Sequence, residues 1–195
     1  MDTRPRRTPL ALPSVLAVAA LAGAPLGLAP LSACGDDTGG AGGQSCSSDV
    51  DAEGCFDASC WTEVEGRSFR ADVLPILERS CSLSGACHGD ASSPANSAGY
   101  RPYLGNVDEQ ANPSDVAAIR AVLIGQKSPS SALSLVEPGR PEDSYLMHKV
   151  DGTLDCARAA CGELCGKAMP DPNGLLPRSD RDTLRDWIAQ GALDN

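Results

Sequence analysis

Aromatic side chains are scarce in this chain: two Trp, three Tyr and two Phe among 195 residues. Histidine is as scarce, with His88 and His148 the only two. A domain with so few large rings has a thin core and needs a second source of cohesion. Basic residues are outnumbered, 16 Lys and Arg against 26 Asp and Glu, for a formal charge of −10. That excludes nucleic-acid binding through backbone phosphates, which takes clusters of Lys and Arg. No Gly-rich phosphate loop, no Gly-x-Ser-x-Gly and no metalloprotease histidine pair is present. Glu63, Glu65 and the other carboxylates read as solvated surface with no acid/base pair among them. The chain is therefore not read as an enzyme. No segment keeps a period-two apolar pattern, which argues against a sheet.

The N-terminus has a recognisable layout. "MDTRPRR" is a basic n-region, and "LALPSVLAVAALAGAPLGLAPL" is an apolar h-region. Pro13, Pro25 and Pro30 interrupt that run, which disfavours a plain membrane span. It ends in "LSAC", residues 31–34, which resembles the lipobox of bacterial lipoproteins. The resemblance implies cleavage after residue 33 and a lipid on Cys34. Losing three Arg and one Asp with residues 1–33 takes the formal charge from −10 to −12. The lipid is then the expected membrane contact, and the acidity suits a basic protein partner.

Residues 34–59 are rich in Gly, Ser and Asp and read as a flexible linker, with order expected to begin around "CFDASCW". The folded domain is expected over 60–195. Of nine cysteines, lipidation of Cys34 leaves Cys46, Cys55, Cys60, Cys81, Cys87, Cys156, Cys161 and Cys165. An even set in an exported chain reads as disulfides. Cys156, Cys161 and Cys165 are expected to be bonded, one of them reaching Cys46, Cys55 or Cys60. Four helices are expected, in "SFRADVLPILERSC", "PSDVAAIRAVLIG", "GRPEDSYLMHKV" and "RSDRDTLRDWIAQGA". Ser114 and Ser179 are expected as N-caps, and Pro75 should kink the first helix or mark its start. The fold class is all-α with long irregular loops. The segment "DGTLDCARAACGELCGKAMPDPNGLLP" is too long for an idle connection.

The chemistry is concentrated in "SCSLSGACHGD". A c-type haem takes two thiols for its vinyl groups and an imidazole beneath the iron, and Cys87-His88 supplies the second thiol and the imidazole. Cys81 is the other candidate thiol, though five residues separate it from Cys87 where two are usual. The gap allows a loop that brings both thiols to one haem, or a small Cys81–Cys87 disulfide. A methionine thioether suits the sixth iron position, and Met169, in the long loop before the last helix, is the candidate. His148 is the alternative ligand, read instead as a partly exposed bystander, and Met147 reads as core. Zinc at Cys161 and Cys165 is disfavoured because neither histidine is near them in sequence.

In order, "FRADVLPILERSC", "CHGD", "VEPGRPEDSYLMHKVDG", "CGKAMP" and "LRDWIAQGA" resemble the cytochrome c-like domain of bacterial envelope lipoproteins. The resemblance spans about residues 69–192. It implies a small helical domain holding one haem c, with Cys87 and His88 in the attachment motif and Met169 as the distal ligand. Cys81 corresponds by order alone. The function so implied is electron transfer by an exported, lipid-anchored protein on the periplasmic or surface face, with a redox protein as partner. The alternative is a haem-free, disulfide-stapled envelope interaction protein. A haem sensor or peroxidase, in which Met169 dissociates, is a third reading.

Overall fold

A computed structural model describes residue 46 and residues 48–94, 100–108, 111–162 and 164–195. The signal segment, Cys34 and the linker through residue 45 lie outside the described residues. The described residues fall within one compact unit, Gly42–Asn195. Among them are four α-helices and no strand, only isolated bridges. The helices are α1 (Leu74–Ser80), α2 (Val116–Leu123), α3 (Tyr145–Asp151) and α4 (Arg178–Ala189). None is long and apolar enough to cross a membrane.

A π-helical turn, Phe69–Val73, leads into α1. Ser68 and Asp72 cap it reciprocally: the Ser68 hydroxyl accepts from the Ala71 N–H, and Asp72 accepts from the Ser68 N–H. Pro75 sits in the first turn of α1, where its missing N–H costs little. Phe69, Val73, Ile76 and Leu77 point inward, as their spacing predicts. They meet Val116, Ile119 and Leu123 of α2, Met147 and Val150 of α3, and Leu184, Trp187 and Ile188 of α4 in one core cluster. The Phe69 and Trp187 rings lie 5.2 Å apart at 48°. Burying a side chain such as Phe69 or Ile188 contributes about 1.5–3 kcal/mol, so a few such contacts matter greatly in a ring-poor core.

Both expected caps are displaced. The N-cap of α2 is Asp115, which accepts from Ala118 N at 3.0 Å. Ser114 instead accepts from Asn106 N at 2.8 Å, bracing the preceding loop. Helix α4 starts at Arg178 after Pro177, with no side-chain cap. Its C-terminus follows expectation: Gly191 takes φ 93°, and its N–H bonds Ile188 O at 3.0 Å.

Three disulfides join Cys46–Cys60, Cys55–Cys156 and Cys161–Cys165. They suit an oxidising, exported setting. Order also reaches further toward the N-terminus than composition suggests. Residues 48–59, assigned above to the linker, form a strap that Cys55–Cys156 fastens to the body.

Buried charge on α4 holds both the strap and the segment that follows it. Asp186, 1% exposed, accepts from Trp61 Nε1 (2.9 Å), Val64 N (3.2 Å) and Arg67 Nε (3.0 Å). Arg185 bonds Asp151 at 2.7 Å and stacks 3.4 Å from the centre of the Phe56 ring. Arg181 reaches Asp49 at 2.6 Å and Asp151 at 3.2 Å. Buried ions persist only when paired and hydrogen-bonded, and these are.

Candidate functional site

The five-residue insert closes on itself. After α1 ends, Cys87 N bonds Ser84 O at 3.0 Å and Gly89 N bonds the same carbonyl at 3.1 Å. His88 N then returns to Cys81 O at 3.2 Å. The chain thus comes back beside Cys81 before it delivers the histidine. Gly89 is required by close approach: a Cβ there would lie 2.6 Å from Val107 Cγ2 and 2.8 Å from Ser82 O.

Cys81 and Cys87 are free thiols, while the other six described cysteines are paired. Of the two arrangements the gap allows, a Cys81–Cys87 disulfide is not the one found. Cys81 is buried and its thiol is pushed up to about 12, by burial first and then by the neighbouring Cys87. Cys87 is half-buried, and the Ser84 hydroxyl donates to its sulfur at 3.3 Å.

His88 Nδ1 lies 2.8 Å from the carbonyl oxygen of Pro102. A carbonyl only accepts, so the proton resides on Nδ1 and the Nε2 lone pair is left unprotonated. Burial holds the His88 pKa below its ordinary value, and the charges of Arg101 and Lys149 push the same way; the Pro102 bond opposes them. The ring is therefore a neutral imidazole near pH 7, the form that ligates a metal.

Met169 is half-buried, and its N–H donates to Lys149 O at 2.8 Å. Its loop is tied down at Cys161–Cys165, by the Tyr145 hydroxyl on Cys165 O (2.9 Å), and by Arg181 on Leu176 O (3.1 Å). Lys149 thus accepts the Met169 N–H on its own carbonyl, and its charge adds a small push to the lowered His88 pKa. A cleft of about 190 Å³ separates the end of α1 from this loop, lined by Arg79, Ser80 and Leu83 on one side and Pro170 and 173–177 on the other.

His148 is a correction. It is 5% exposed, not partly exposed, and both ring nitrogens are engaged, Nδ1 with Thr153 Oγ1 (2.9 Å) and Nε2 with Glu142 O (3.1 Å). It is a satisfied core histidine with no free nitrogen for iron. Met147 is core, at 3% exposure. Among the described residues, no group of three or more His, Cys, Asp and Glu side chains is arranged to hold a metal ion.

Free thiols at Cys81 and Cys87, a neutral imidazole at His88 and a thioether at Met169 are the donor types a haem c takes. None of these four side chains lines the cleft, whose volume falls below the roughly 300–1,000 Å³ of small-molecule sites. Sequence reading missed the strap, its buried ion pairs and Lys149. The charges in "RSDRDTLRD" resemble a solvated helix face, and nothing local marks which of them turn inward. The chain matches no family model, no curated protein and no solved structure.

Proposed function

We propose that this chain is a lipid-anchored c-type cytochrome-like electron carrier with one haem. The observation that carries the reading is the Pro102 carbonyl on His88 Nδ1, which puts the ring proton there and leaves Nε2 as the nitrogen able to ligate iron, in the segment that also holds both free thiols. Cys81 and Cys87 would attach the haem through thioethers, His88 Nε2 would be the proximal ligand and Met169 sulfur the distal one. When bound, the haem supplies one-electron chemistry between ferric and ferrous iron.

The chain's own part is to hold the two ligands and limit access. Pro102 fixes the tautomer and orientation of His88, and burial keeps the ring neutral. The stapled loop presents Met169, and a thioether there raises the reduction potential. With both axial positions filled no substrate site is left, which favours a carrier over a peroxidase. Cys34 would carry the lipid, placing the domain on the periplasmic or surface side of the envelope. The formal charge of −10 suits a basic redox partner.

That none of the four donors lines the cleft at the end of α1 favours the second reading, a haem-free interaction protein on the same scaffold. The test of ligation is carbon monoxide added to the reduced protein, produced in a host with c-type maturation. The native absorbance should stay unchanged, and Met169→Ala should shift on adding the gas. Gas binding by the native protein would overturn the six-coordinate carrier and favour a sensor or peroxidase.

A further inference from the structure

Lys149 stands out because its ammonium is half-buried and its partners are carbonyls. Its Nζ donates to Cys165 O at 2.8 Å and to Lys167 O at 2.5 Å. Gly166, between these two, adopts φ 69°, and a Cβ there would come within 3.5 Å of Nζ. That left-handed residue lets the chain curl round the ammonium so that the carbonyls on either side both face it. The Tyr145 hydroxyl, one helical turn before Lys149, also donates to Cys165 O, and the Tyr145 ring centre lies 5.6 Å from Nζ. Two residues past Lys167, the Met169 N–H closes onto the backbone carbonyl of Lys149 itself. One residue of α3 thus grips "CGKAM" at three points. Burial holds the Lys149 pKa below its ordinary value, in keeping with a cation lodged among backbone groups.

We propose that Lys149 is a positioning residue whose ammonium clamps the Cys165–Lys167 turn and so fixes where Met169 sits. The clamp is a property of the polypeptide and holds without any cofactor. What Met169 is held for rests on the electron-carrier reading above.

Hydrogen exchange followed on the full chain tests the clamp. In Lys149→Met the Met169 amide should exchange about tenfold faster, the loss of roughly one net hydrogen bond. The Leu184, Trp187 and Ile188 amides of α4 should keep their native rates, and Lys149→Arg should restore part of the protection at Met169. An unchanged Met169 rate in Lys149→Met, or a uniform rise that includes α4, would overturn the clamp. A chain that takes up no haem would refute the carrier reading and leave the exchange result standing.

Discussion

Replacing Asp186 should loosen the Trp61–Arg67 segment that joins the strap to the first helical turn. In Asp186→Ala, Trp61 Nε1, Val64 N and Arg67 Nε all lose the acceptor they share. Leaving a buried donor unmet costs about 1–3 kcal/mol, and removing one partner of a buried pair about 3–5 kcal/mol. The Arg67 side chain is 26% exposed and Val64 is 50% exposed, so water recovers part of both losses. The net cost is expected at about 2–3 kcal/mol. Asp186→Asn keeps an amide oxygen for Trp61 and Val64 but loses the charge opposite Arg67, and should cost about 1–2 kcal/mol. The Cys55–Cys156 bond remains in all three proteins, so the cross-linked unfolded state is comparable. Urea unfolding under non-reducing conditions, followed by Trp fluorescence, measures both values. Asp186→Ala within about 0.5 kcal/mol of native would refute the three-bond account, since that is the range of ordinary surface changes. Equal losses in the two variants would contradict it too, by placing the whole effect in the charge.

Other expectations concern pH and packing. Burial pulls the Asp49 carboxyl upward, but the Arg181 guanidinium outweighs it and leaves the pKa below the ordinary 3.8. Asp49 therefore contributes stability above its unfolded pKa, lost as pH falls through the lower folded one; acid unfolding of Asp49→Asn should show a shallower limb below about pH 4. His88 should titrate below 6.5 by NMR. The unfolded chain then binds the extra proton, so native stability should rise with pH up to about 6.5, and His88→Gln should flatten that rise. Gly89→Ala places a methyl 2.6 Å from Val107 Cγ2 and 2.8 Å from Ser82 O. It should lower stability by about 1–3 kcal/mol in thermal unfolding, and a neutral result would contradict the close packing of the 82–89 loop.

Period and punctuation made the helices legible. The apolar stripes of α1, α2 and α4 name the core side chains correctly, and Gly191 marks the end of α4. The caps were harder to place, because Ser114 and Asp115 are both good caps and only the Asn106 N–H, from another loop, settles which is used. The buried ion pairs were illegible for the same kind of reason. Whether Arg185 faces water or the ring of Phe56 depends on a strap more than a hundred residues earlier. The candidate donors Cys87, His88 and Met169 were picked out by residue type and order in the chain. Their geometry was not legible: Pro102, which sets the histidine tautomer, and Lys149, which holds the methionine loop, are ordinary residues in one dimension.

The most direct test of the central claim is the intact mass of the protein, produced in a host with c-type maturation, denatured in acid and alkylated without reduction. The account predicts an added mass of one haem, with Cys81 and Cys87 no longer open to alkylation, and its loss in Cys87→Ser. A chain without that mass, in which both cysteines take up the alkylating reagent or are found joined to each other, would contradict it.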